Sequence, residues 1–144
     1  MADMKKINVS IESELNKMMM TLDLTASQGH VLIYILEHSE TGVSSTQLHR
    51  QLGVSRATVS GLLKKLRAKG YLEFQACETD DRLKMIFVTE KGQELRGILK
   101  QYMIRASGVI YADFTGAELD TMYQLQQKIL DNLYRENWLR RQHA

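Results

Sequence analysis

Proline is absent from the 144 residues, so no pyrrolidine ring breaks a helix and long helices are allowed. A single cysteine, Cys77, excludes an intrachain disulfide and suits a reducing compartment. No apolar run approaches the roughly 18 residues of a membrane span. Lys5 and Lys6 precede no apolar stretch of signal-peptide type, so a cytoplasmic protein with no membrane partner is expected. No G-x-S-x-G, phosphate loop, H-E-x-x-H or paired-cysteine motif occurs, and the four histidines are scattered; neither catalysis nor a cofactor is expected. His30 and His38 lie two helical turns apart with no ligand cluster beside them, so no metal site is expected. Net charge is also small. The formal net charge is +2, and such a balance by itself calls for no polyanion. The telling absence is local: no acidic residue stands between Glu40 and Glu73, a gap that holds Arg50, Arg56, Lys64, Lys65, Arg67 and Lys69.

What is present reads as a mainly α chain. Ile7, Ile11, Leu15, Met18, Met19 and Leu22 recur at helical spacing over residues 1–22. Thr25 and Gln28 fit a capping box, and the helix that follows to about Ser39 is apolar on several sides, as a central helix must be. Ser44 and Gln47 offer a second box for a short helix that Gly53 ends, where a positive φ is cheap. Ser55 caps the next helix, whose buried stripe is Val59, Leu62, Leu63 and Leu66, with Gly70 at its exit. Tyr71 to Cys77 alternates as a half-buried strand, Glu78 to Lys84 reads as a polar connection of seven residues, and Met85 to Val88 is the return strand. Thr89 opens a long helix with Leu95, Ile98, Leu99, Tyr102, Met103, Ala106, Val109 and Ile110 on its apolar face. Thr115 and Glu118 box the last helix.

The middle of the chain is therefore helix, turn, helix, strand, charged turn, strand, which is the order of a winged helix-turn-helix. The second helix of such a unit enters the DNA major groove by its N-terminal end. Ser55, Arg56, Thr58 and Ser60 are the small and hydrogen-bonding groups that end requires, since Arg reads guanine and the Thr methyl meets thymine. Lys64, Lys65 and Lys69 lie further along and suit phosphates. Arg82 on the hairpin is a candidate for the minor groove, oriented by a neighbouring carboxylate such as Asp80. With Ser44 and Lys84, these residues make up the expected contact set for double-stranded DNA: Ser44, Ser55, Arg56, Thr58, Ser60, Lys64, Lys65, Asp80, Arg82 and Lys84.

Three stretches resemble the MarR (multiple antibiotic resistance regulator) family. They are Leu24-Thr25-Ala26-Ser27-Gln28 with Val31-Leu32; Val54 to Ser60 with Leu66 and Gly70; and Asp80-Asp81-Arg82 followed by Val88-Thr89-Glu90-Lys91-Gly92. The resemblance runs along essentially the whole chain. It implies one domain over 1–144, with residues 25–90 as the winged helix-turn-helix and 1–22 and 95–144 as dimerisation helices. It also implies a homodimer on a (pseudo)palindromic operator and regulation by a small molecule or by oxidation, most often relief of repression; the expected effector is small and apolar or aromatic. Gly61 departs from the larger, frequently basic residue often found there, which bears on operator preference.

The terminal helices carry more apolar face than a winged helix of about 50 residues covers, which independently points to a two-fold partner. Met19, His30 and Tyr34 are candidate pocket residues, and Met18-Met19-Met20 could line an adaptable pocket. Two alternatives stand beside this reading: a winged helix used for protein–protein interaction, and a redox-responsive regulator sensing through Cys77.

Overall fold

The computed structural model describes residues 1–142, with the side chains of 81, 82 and 138–142 outside the described set. Two compact units emerge, Met1–Ile110 and Tyr111–Ala144. The first holds α1 (Ala2–Met19), a 3-10 turn (Met20–Leu22), α2 (Ala26–Glu37), β1 (Val43–Ser44), α3 (Ser45–Leu52) and α4 (Arg56–Ala68). It continues through β2 (Leu72–Cys77), β3 (Asp80–Val88), α5 (Glu90–Gln93) and α6 (Arg96–Ile110). The second holds α7 (Gly116–Gln142). The fold is mainly α with a three-stranded antiparallel sheet in the order β1-β3-β2, a winged helix.

Helix starts follow local chemistry. Thr25 Oγ1 accepts from the Gln28 N–H at 3.2 Å while Gln28 Oε1 accepts from the Thr25 N–H at 3.0 Å. The next donor, Ala26 N–H, goes to Asn16 Oδ1 of α1 at 2.7 Å. Three N–H groups left orphaned at the start of α2 are thereby satisfied. Ser44 and Gln47 form the same reciprocal pair at the start of α3. Thr115 and Glu118 do so ahead of α7, with Thr115 N–H on Glu118 Oε2 at 2.8 Å and Glu118 N–H on Thr115 Oγ1 at 3.2 Å.

α2 is central. Val31, Leu32 and Ile35 are fully buried in one core with Met19, Val43, Leu48, Val59, Leu66, Leu72, Ile86 and Leu99, and α1, α3, α4, α6 and β3 pack against this helix. Gly29 makes the α1–α2 contact close: a Cβ there would lie 2.8 Å from the Met19 sulfur.

Three expectations change. The connection between β2 and β3 is two residues, Glu78 and Thr79, instead of seven, because β3 begins at Asp80. The register passes from Cys77↔Asp80 to Ala76↔Lys84, so residues 81–83 bulge from β3. Arg82 thus lies in a strand bulge and not at a loop tip. Second, Val43↔Ile86 and Ser44↔Met85 pair β1 onto the hairpin as a third strand. Third, the long helix after Thr89 divides at Glu94 and Leu95, where the Leu95 N–H bonds the Gly92 carbonyl in a tightened i→i−3 turn.

Candidate nucleic-acid interface

α4 is aimed by its two ends. At its start Ser55 Oγ accepts from the Thr58 N–H at 3.1 Å and shares a 2.8 Å hydrogen bond with the Thr58 hydroxyl. This cap releases Arg56 onto the first exposed turn. Val59, Leu63 and Leu66 are buried, which turns Arg56, Thr58, Ser60, Gly61, Lys64 and Lys65 to the outside. All six are exposed, as are Ala57, Arg67 and Ala68.

At the far end the Thr89-Glu90-Lys91-Gly92 stretch fastens the wing to α4. The Thr89 hydroxyl donates to the Gly70 carbonyl at 2.6 Å, and the Lys91 ammonium donates to the Lys69 carbonyl at 2.8 Å. Thr89 N–H bonds the Tyr71 carbonyl at 3.0 Å. Gly92 allows this approach, because a Cβ there would lie 2.6 Å from the Tyr71 carbonyl oxygen. The signature is therefore a clasp that fixes the hairpin against the end of the exposed helix.

Between α3, α4 and the sheet runs an open groove of about 460 Å³. It brings together four of the expected residues, Ser44, Ser60, Lys64 and Lys84, and adds Arg67, Ser45, Thr46, Phe74 and Leu83. Its described lining includes three cations and no carboxylate. Arg67 was not among the expected contacts. Its guanidinium lies 4.8 Å from the Phe74 ring centroid, a cation–π contact that holds the charge over the groove. Only the strand register, which sets Phe74 beside α4, reveals it.

Ser44 and the expected residues outside the groove are placed as follows. Ser44 is buried and its hydroxyl accepts from the Gln47 N–H, so its role in the fold is the α3 cap. Lys69 is held by Asp23: its ammonium is 2.7 Å from Asp23 Oδ2 and also donates to the Asp23 carbonyl. That ion pair holds the Asp23 carboxyl below its ordinary value of 3.8, through the Lys69 hydrogen bond first and its charge second. The Arg82 side chain lies outside the described residues, while Asp80 is described at the start of β3.

The candidate pocket residues are not gathered. Met19 is core, packed on Gly29. Tyr34 stacks on His38 with ring centroids 4.3 Å apart, and its carbonyl accepts from His38 Nδ1 at 2.8 Å. His30 is on the outer side of α2, where desolvation lowers its pKa and the Glu12 carboxylate partly opposes this. A cavity of about 350 Å³ does lie between α1 and α6, lined by Met18, Thr21, Tyr102, Ala106, Val109 and Ile110, with Glu14, Lys17 and Arg105 at its edge. Cys77 is half-buried on β2; its thiol lies 3.2 Å from the Thr79 hydroxyl, and hydrogen bonds from Thr79 lower its pKa.

Comparison with known proteins agrees with this geometry. The MarR family model matches residues 22–83. The HTH-type transcriptional regulator YybA of Bacillus subtilis is 29% identical over 115 residues, spanning 80% of this chain and 75% of that protein. The transcriptional activatory protein BadR of Rhodopseudomonas palustris is 32% identical over 95 residues, 65% of this chain and 54% of that protein, so the match spans about half of that relative. A solved MarR family transcriptional regulator from Listeria monocytogenes, complexed with a 26mer DNA, superposes with a TM-score of 0.85 at 25% identity. That match covers 94% of this chain and 89% of the other. The family model lies on the winged helix and the fold is matched along nearly its whole length, so the chain is similar to the MarR family of transcriptional regulators.

Proposed function

We propose that this protein is a dimeric, sequence-specific DNA-binding repressor that occupies a (pseudo)palindromic operator and is released by a small apolar or aromatic effector. The observation that carries the DNA reading is the outer face of α4. Its capped first turn presents Arg56, Thr58 and Ser60, and beside it lies a groove with Lys64, Arg67 and Lys84 and no carboxylate among its described lining residues. Groups at the helix start read base edges, and the lysines hold phosphates and set the register. Arg82, with Asp80 in support, is the proposed minor-groove residue.

Exposed apolar side chains support the dimer: Met4, Ile7 and Val9 on α1, Ile104 and Val109 on α6, Leu125, Ile129 and Leu133 on α7. A second copy related by a two-fold axis covers such faces and sets two recognition helices about 34 Å apart, one turn of DNA. The cavity between α1 and α6 has the apolar floor and polar edge of a small-molecule site, and its size is at the lower end of such sites.

The test is a titration of the protein against a duplex selected from a random library and against its shuffled counterpart, at two salt concentrations. Strong preference for the selected duplex with steep salt dependence is expected. Equal, weak binding to both would transfer the winged helix to a protein-interaction role. A second reading, activation, is favoured by the activatory BadR relative. A reporter under the bound promoter separates the two, since deletion of a repressor raises expression and deletion of an activator lowers it.

A further inference from the structure

We propose that His49 is a positioning residue that sets the entry angle of the recognition helix, α4. It sits half-buried on α3, and its ring Nδ1 is 2.5 Å from the Val54 carbonyl oxygen. A carbonyl only accepts, so Nδ1 carries the proton. The backbone of the same residue is also engaged, because the His49 carbonyl accepts the Gly53 N–H at 3.2 Å. One residue of α3 thus grips both sides of the inter-helix turn. The turn itself needs such a grip. Gly53 is left-handed at φ 65 and, lacking a side chain, adds no packing to the turn. Val54 is followed at once by Ser55, the α4 cap.

The consequence falls on α4's first turn. Val54 packs against the core through its side chain, which fixes where the turn sits. Its carbonyl direction is fixed by His49, and the next peptide carries Ser55 and then Arg56. Base readout requires the Arg56 and Thr58 groups to meet base edges in a defined geometry, whereas phosphate contacts tolerate small shifts. Loss of the ring donor therefore affects sequence preference more than affinity for DNA in general. This inference rests on the DNA reading above, and the test separates the two.

Two variants isolate the hydrogen bond. His49→Asn places an amide N–H close to where Nδ1 lies, and His49→Leu keeps similar bulk without a donor. Each is followed by hydrogen–deuterium exchange over residues 54–58, with no DNA present, and by titration against the selected and shuffled duplexes. In His49→Leu the exchange is expected to accelerate, and preference for the selected duplex to fall about fivefold to tenfold, the worth of one neutral hydrogen bond. His49→Asn is expected to stay within about twofold of wild type in both readouts, since it retains a donor. Unchanged exchange in His49→Leu overturns the proposal whatever the DNA result. Equal impairment of both variants also overturns it, because ring packing and not the hydrogen bond would then hold the turn. A wild-type protein with no preference between duplexes overturns the DNA reading, and exchange alone then decides whether His49 holds the turn.

Discussion

Replacing Gly92 by alanine tests the clasp between wing and recognition helix. A Cβ at Gly92 would lie 2.4 Å from Val88 Cγ1 and 2.6 Å from the Tyr71 carbonyl oxygen. The Val88 methyl can rotate away, but the carbonyl belongs to the backbone and already accepts the Thr89 N–H at 3.0 Å. Relief requires the start of α5 to move off Tyr71. Three effects compete. Overpacking costs about 1–3 kcal/mol. Weakening the Thr89–Tyr71 hydrogen bond costs about 1 kcal/mol. Alanine gains about 1 kcal/mol over glycine in a helix. The net is about 2 kcal/mol of destabilisation, or about 4–8 °C in Tm for a chain of this size. Thermal unfolding by circular dichroism at one fixed protein concentration measures it, since dimer stability depends on concentration. Gly61→Ala is the control: nothing lies within 4 Å of a Cβ there, so only the helix gain remains and Tm is expected to hold or rise. A Gly92→Ala protein as stable as wild type would refute the close approach and the clasp with it.

Other expectations concern single side chains. Arg56→Ala should lower affinity for the selected duplex by about 1–3 kcal/mol and leave the shuffled one nearly unaffected. Lys64→Ala should instead weaken both and reduce the salt slope by about 1, measured by anisotropy across salt concentrations. Thr25→Ala removes one half of the α2 capping box and should lower unfolding free energy by about 1 kcal/mol in urea titration. Asp23→Asn tests the Lys69 pair. Asp23 has a positive φ of 54, which Asn tolerates, so the backbone is preserved. Its folded pKa lies below the ordinary 3.8. The stabilisation is thus present above that value and fades as pH falls through the folded value. The stability difference between wild type and variant should shrink on acidification below about pH 4, and in high salt, because the pair is exposed. A pH-independent difference would show that charge plays no part.

Local chemistry is legible in the sequence. The caps at Thr25, Ser44, Ser55, Thr89 and Thr115 each join a side chain to a backbone N–H three residues on. Spacing alone can express such a contact. The α4 face followed for the same reason: a period of 3.6 that buries Val59, Leu63 and Leu66 must expose Ser60, Gly61 and Lys64. The winged-helix order and the MarR resemblance rest on these local signals.

What depended on partners distant in sequence stayed hidden. β1 is two residues long and exists because Ile86 and Met85 lie opposite it; no propensity marks so short a strand. The polar stretch after Cys77 reads as loop, yet pairing with β2 draws most of it into β3 and leaves residues 81–83 as a bulge. Lys69 reads as a phosphate ligand until Asp23, 46 residues away, takes its charge. Arg67 joins the groove only because Phe74 lies beneath it. Met19 reads as pocket lining and becomes core because Gly29 leaves room for its sulfur. The sequence by itself determined where each helix begins and which face it shows, since those depend on neighbours within one turn. The tertiary structure decided which exposed charges are left for DNA, since an ion pair or ring contact across the chain is formed by packing and has no period.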